Sequence, residues 1–336
     1  YFMWLVGIDL HRESVVIAAV NDTCEVIKPV SVRCEDTATI VNVVKALGSF
    51  RAVIEASATY RWLYDLLRGY GTILLAHPFR LRVMVQRRTK TDKLDAQLLA
   101  NLLRINRIPL AYIPPEPYQQ LRELTRRRAR LGRELAAAKI HLRALLARQN
   151  RRAPYRVPFG VRGLAWFRGQ DFGWVENLVR DELLARLKHY GRQATILDRH
   201  LERLADAFPQ VEAILDIHGI GLYSALLIVA ELGEPDRFRW AKQVGAYAGL
   251  TSRVHQSGGH CYRGSITRQG STWLRWILVE AAIKVIREEA ALKNFYTRVR
   301  KRSSAKIARV AVARKLAEIC WKRLRRWQRE HANQAA

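Results

Sequence analysis

Two short apolar runs, each ended by a carboxylate, constrain this chain most: Trp4-Leu5-Val6-Gly7-Ile8 closes on Asp9, and Ala52-Val53-Ile54 closes on Glu55. Runs of this length and composition predict buried strands. An acid at the end of a buried strand is costly unless it meets a cation. A second pair, Asp92 and Asp95, lies three residues apart where an apolar-periodic helix begins, so the two share a helix face. Acids in a first helical turn can serve only as complements to the helix dipole. With two strand-end acids beside them, they point instead to one cluster of four carboxylates. Such a cluster calls for hard divalent cations, and paired Mg²⁺ (or Mn²⁺) is the usual means of activating an oxygen nucleophile and stabilising a leaving oxygen in phosphodiester chemistry.

The flanking sequence sets these acids in order. Residues 3–9, 15–22 and 25–33 read as three strands joined by polar turns at His11-Arg12-Glu13 and Asn21-Asp22-Thr23, an antiparallel meander. A helix over 36–47 ends at Gly48, and a strand at 51–55, a helix at 59–69, a strand at 72–76 and a helix from Asp92 to about Arg104 follow. The order βββαβαβα, with acids on the first strand, the fourth strand and the last helix, is that of the RNase H-like fold. Ile8-Asp9, Ile54-Glu55-Ala56 and Lys90-Thr91-Asp92-Lys93-Leu94-Asp95-Ala96 resemble the D, E, D and D of the RuvC-like domain in the DEDD transposases of bacterial insertion sequences, whose relatives include the Piv invertases.

The chain has 336 residues, and 58 Lys plus Arg against 30 Asp plus Glu give a net charge of +28. That excess predicts a polyanionic partner, nucleic acid first and an anionic membrane surface second. No apolar run approaches the roughly 20 residues that span a bilayer. Cys24, Cys34, Cys261 and Cys320 are scattered with no C-x-x-C pair, which fits a reduced, cytoplasmic protein; the resemblance makes it bacterial and nucleoid-associated. Ile113-Pro114-Pro115-Glu116-Pro117 reads as a linker. The expected divisions are 1–113, a catalytic domain; 114–209, a linker and coiled-coil region; and 210–336, an all-α domain. Residues 1–113 carry 15 basic and 10 acidic side chains, so +23 of the net charge lies beyond them.

From Leu121 the apolar positions follow heptads, with Leu135 and Leu142 in one column and Leu124, Leu131, Ala138 and Leu145 in the other. A second such run includes Leu183, Leu187, Ala194, Leu197, Leu201 and Leu204. The two helices either pack on each other or join subunits into a dimer or tetramer. Between them, residues 151–177 read as an exposed connection whose Trp166, Phe167 and Trp174 either pack down or stack on bases.

Ile214–Leu227 has the form of a helix-hairpin-helix, in which Gly219 and Gly221 let the turn approach a phosphate at a helix N-terminus. Beyond it, Gln256-Ser257-Gly258-Gly259-His260 and the segment from Arg263 to Arg275 resemble the C-terminal domain of the same transposase family. There a serine in an S-G motif precedes G-x-I-x-K-x-G-x-x-x-L-R. Ser257 falls on that serine, and Arg268 stands where Lys is usual, which keeps the charge but changes its geometry. On its own, Ser before two glycines is a flexible loop. From Arg298 to Arg329, 13 basic residues against the single acid Glu318 read as one amphipathic cationic helix, with Ile307, Val310, Leu316, Ile319 and Leu324 as its apolar positions.

The resemblance implies a DNA transposase or site-specific recombinase. Asp9, Glu55, Asp92 and Asp95 would hold the metal, Ser257 would be the nucleophile, and Gly219, Gly221, Arg263, Arg268 and Arg275 would contact nucleic acid. Donor and target DNA, a structured guide RNA and further copies of the chain are the implied partners. Two other readings stay open at this level: a metal-only junction nuclease in which water attacks, and a non-catalytic nucleic-acid scaffold.

Overall fold

A computed structural model describes residues 3–84 and 91–332, without the side chains of His255 and Arg263. Thr89 and Lys90, at the head of the motif around Asp92, lie outside the described residues. The chain forms two compact units, Tyr1–Ile113 and Pro114–Ala336.

The first unit is built from β1 (Trp4–Leu10), β2 (Ser14–Asn21), β3 (Val26–Arg33), α1 (Thr37–Lys45), β4 (Phe50–Glu55), α2 (Tyr60–Leu67), β5 (Thr72–Ala76), α3 (Pro78–Met84), α4 (Asp92–Arg104) and β6 (Leu110–Ala111). Its six-stranded sheet has the order β3-β2-β1-β4-β5-β6. β1, β2 and β3 form the antiparallel meander, β4 and β5 run parallel to β1, and β6 pairs antiparallel with β5. The period-2 alternation divides the central strands between two layers. Val6, Ile8, Ala52 and Ile54 share one core with Ile40 and Val44 of α1 and Leu63 and Leu67 of α2. Leu5, Val20 and Val53 face the other way, onto Leu99, Ala100 and Leu103 of α4. The sequence reading lacked α3 and β6.

The second unit contains α5 (Glu116–Arg148), α6 (Val161–Arg168), α7 (Trp174–Ala205), α8 (Glu212–Leu215), α9 (Leu222–Leu232), α10 (Ala241–Tyr247), β7 (Ser252–Ser257), β8 (His260–Ile266), α11 (Thr272–Glu288), α12 (Ala290–Lys301) and α13 (Ala305–Ala332). α5 and α7 pack along each other in opposite directions: Leu142, Leu145 and Leu146 meet Leu183, Leu184 and Leu187 at one end, and Leu121 and Leu201 share a core at the other. Arg128 joins Asp198 between them through two hydrogen bonds of 2.7 and 3.0 Å. Much of each heptad stripe is therefore consumed within one chain. Phe167 is fully buried and Trp166 packs beside it, whereas Trp174 is 76% exposed.

Two expectations are corrected here. The C-terminal region is not all-helical, because β7 and β8 form an antiparallel hairpin. Ser257 pairs with His260 across Gly258 and Gly259, whose φ angles of +54° and +80° are those of a two-residue turn that matches strand twist. An exposed hairpin shows little apolar alternation, so its glycines alone suggest a loop. The cationic segment from Arg298 is two helices rather than one: α12 ends at Lys301, and Ser304 caps the start of α13 by accepting from the Ile307 N–H. Ile307, expected on the apolar face, is 58% exposed.

Candidate active site

The first unit gathers its acids by the close approach of one helix to one strand. Gly7 lies on the α4 side of β1, and a Cβ there would sit 2.0 Å from the Ala96 carbonyl oxygen and 2.5 Å from the Ala100 nitrogen. Only a residue without a side chain lets the helix lie this low. Asp9 is two residues further along the same face, and since Ile8 registers with Ile54, Glu55 stands beside it at the end of β4. At its N-terminus α4 is capped by Thr91, whose hydroxyl accepts from the Leu94 N–H, and Asp92 and Asp95 occupy its first turn. Strand end and helix start thus converge at the C-terminal ends of the two central strands.

His11, read from sequence only as a turn residue, belongs to this cluster. Its Nε2 lies 2.9 Å from Asp9 Oδ2 and 3.2 Å from Asp92 Oδ1. Asp9, His11 and Asp92 offer ligand atoms that all lie within 4.8 Å of one another. Asp9 is nearly buried, while Asp92 is open to solvent. Burial raises the Asp9 pKa above the ordinary carboxylate value; the charge of His11 and its hydrogen bond pull it down, and Asp95 and then Asp92 push it up again. Negative charge is therefore concentrated here at a cost that a bound cation would relieve. Carboxylates clustered in this way are a donor set for a divalent cation. Nothing in the spacing Asp9-Leu10-His11 distinguishes this histidine from one in an ordinary turn. Its place follows only from the return of α4 over β1.

In the second unit, Ser257 is exposed at the tip of the β7–β8 hairpin. Arg268 follows that hairpin with φ +55° and an exposed side chain. Arg275, half-buried on α11, donates from Nη1 to the Ala248 carbonyl at 3.0 Å. Burial first, and then the charge of Arg268, lowers the pKa of Arg275, so the two guanidiniums form a local excess of positive charge. Arg263 lies on β8. The Ser257 region and the carboxylates belong to different units.

A buried network anchors this segment. Glu231, whose carboxylate is 1% exposed, takes two bonds of 2.7 and 3.0 Å from Arg126 on α5 and a third, 2.7 Å, from the Ser271 hydroxyl. Ser271 also accepts from the Leu274 N–H and caps α11. The start of α11, and Arg275 with it, is thereby tied to α5. Between α8 and α9, Gly219 has φ +87° and packs so closely on α11 that a Cβ would lie 2.6 Å from Lys284 Cβ. Gly221 caps α9 with open space around it.

Two protein-family models match the chain. A DEDD transposase model of the IS110 group covers residues 6–150, and the model described as Transposase IS116/IS110/IS902 family covers residues 211–297. Among curated relatives, the transposase for insertion sequence element IS1111A of Coxiella burnetii is 25% identical over 96% of this chain and 90% of its own length. The pilin gene-inverting protein of Moraxella bovis is 24% identical over 82% of this chain and 80% of its own. A Sinorhizobium fredii protein with a transposase name is 24% identical over 80% of this chain, which spans 64% of that relative's length. The first model implies an RNase H-like domain and a divalent metal. Among the described residues no helix is long and apolar enough to cross a membrane.

Proposed function

We propose that this chain, which belongs to the DEDD transposase family of the IS110 insertion sequences, cuts and rejoins DNA with a carboxylate-held metal and a serine nucleophile. The observation that carries this reading is the convergence of Asp9, His11 and Asp92 within 4.8 Å at the end of the central strand β1, with Asp95 in the same helical turn and Glu55 on the adjacent strand. The carboxylates of Asp9, Glu55, Asp92 and Asp95 would hold Mg²⁺ or Mn²⁺, which when bound supplies Lewis-acid polarisation of a phosphate and charge for a leaving oxygen. His11 bridges Asp9 and Asp92 and keeps the two carboxylates in one arrangement.

Ser257 acts as the nucleophile. Its Oγ bonds to phosphorus and gives up its proton as the bond to the departing deoxyribose oxygen breaks, and that oxygen takes up a proton. The result is a phosphoserine link that a second sugar hydroxyl reverses to rejoin the strand. Exposure at a hairpin tip suits a hydroxyl that must reach into a bound duplex. Arg263, Arg268 and Arg275 contact the phosphates of the bound strand, and the Gly219–Gly221 turn, followed by the N-terminus of α9, contacts a further one as a helix-hairpin-helix. Support for these roles comes from the family of the chain, the charge of the second unit and the adjacency of Arg268 and Arg275. A guide RNA and a dimer or tetramer assembled through the outer faces of α5 and α7 complete the reading.

The test is metal-dependent cleavage of DNA carrying the element's ends. Asp9→Asn and Asp92→Asn should lose cleavage by at least about 10²-fold while melting as cooperatively as the parent. Full cleavage by both variants would overturn the metal site.

A further inference from the structure

A groove of about 830 Å³ runs between the base of the β7–β8 hairpin and α13. Its apolar wall includes Leu250, Phe295, Ile307 and Val310, and its lining carries five basic side chains, Lys242, Arg268, Lys306, Arg314 and Lys315, against one acid, Glu318. Glu318 lies 3.5 Å from Arg314 and 3.9 Å from Lys315, so its charge is offset by those two cations. Phe295 is half-buried with the Arg298 guanidinium 5.6 Å from its ring centre. Ile307, on the first turn of α13, is held out to solvent beside these cations.

A duplex makes poor use of such a place. It presents phosphates to a protein surface but keeps its base faces in the stack, so it could engage only the cationic rim. A nucleotide outside a duplex offers both parts at once, a flat apolar face and an anion. Aromatic and apolar walls beside a positive rim are what single-stranded segments bind. The groove also falls in the roughly 300–1,000 Å³ range of pockets that enclose small molecules.

We propose that this groove holds one unpaired nucleotide of a bound nucleic acid, its base against Phe295 and Ile307 and its phosphate on Lys242, Arg268 and Lys306. The inference rests on the nucleic-acid reading above and adds a strand-anchoring subsite to it. Because Ser252 and Ile266 line the groove, the anchored nucleotide lies at the base of the hairpin whose tip bears Ser257. The five-residue advance from Ser252 to Ser257 spans about 17 Å. The groove therefore fixes the strand at a distance from the phosphate to be cut and does not take part in the bond change.

The test measures binding of the full chain to a DNA duplex bearing one 2-aminopurine opposite an abasic position and to the same duplex fully paired. The wild-type chain should bind the unpaired form at least roughly fivefold more tightly, the low end of base-stacking contributions, with a change in 2-aminopurine fluorescence. Ile307→Asp should lose that preference and the fluorescence change, whereas Val161→Asp, at an 88% exposed position on α6, should keep both. Matching RNA duplexes decide which strand the groove takes, and a preference in either backbone supports it. Equal affinity for the paired and unpaired forms, or an unchanged preference in Ile307→Asp, would overturn the groove while leaving the recombinase reading intact. Failure of the wild-type chain to bind any of these probes would overturn both.

Discussion

Substituting Gly7 by Ala should dismantle the acidic cluster without touching an acid. The added Cβ would lie 2.0 Å from the Ala96 carbonyl oxygen, 2.5 Å from the Ala100 nitrogen and 2.9 Å from Leu99 Cβ. Real Cβ atoms do not approach within 3.0 Å, so α4 must withdraw from β1 by about 1 Å at Ala96. Backbone atoms are in the way, so no rotamer change can relieve the clash. Overpacking of this kind costs about 1–3 kcal/mol. The same shift carries the first turn of α4 away from the strand end and lengthens the 3.2 Å approach of His11 to Asp92. A displacement of about 1 Å in a reacting site can cost about 10²-fold in rate. The assays are urea denaturation and DNA cleavage in Mn²⁺, with Gly69→Ala as control because nothing lies within 4 Å of its Cβ. Gly7→Ala should lose both stability and cleavage, and Gly69→Ala neither. A Gly7→Ala protein with parental stability and rate would refute the idea that this contact positions the acids.

Arg126→Met should destabilise the second unit by about 3–5 kcal/mol, measured by denaturant midpoint, because it strands the buried Glu231 carboxylate. Thiol titration of the native chain should find Cys24 and Cys261 reactive; Cys320, which burial pushes up to about 12, should react only on unfolding, and half-buried Cys34, also raised by burial, should lag behind the exposed pair. DNA affinity should fall steeply as salt rises, since most of the +28 charge lies beyond residue 113; a flat salt profile would exclude phosphate contacts as the main source of binding.

Where a residue's environment is set by its immediate neighbours, the sequence was sufficient. Buried strands announce themselves as Leu5-Val6-Gly7-Ile8 and Ala52-Val53-Ile54, and α4 as an apolar period that begins at Asp92, so the order of the elements and the strand ends that bear Asp9 and Glu55 could be inferred. Gly7 in a strand could be noted but not explained, since its reason is a helix some 90 residues away. His11 was missed for the same cause. The β7–β8 hairpin escaped because both of its faces are largely exposed, which removes the alternation that marks a strand. Ser303 and Ser304 split the final cationic helix in two, and a helical period drawn across them wrongly placed Ile307 on the buried face.

The central claim is that Ser257 carries the strand while the first unit's acids support the reaction. It is tested by reacting the chain with a nicked suicide substrate in Mg²⁺ or Mn²⁺ and mapping any modified peptide by mass spectrometry. The wild-type chain should yield one phosphodiester-linked peptide modified at Ser257; Ser252→Ala, Ser265→Ala and Ser271→Ala should still form it, and Ser257→Ala should bind DNA normally and form none. Efficient cleavage by Ser257→Ala with no protein adduct would contradict the claim and leave a metal-only nuclease.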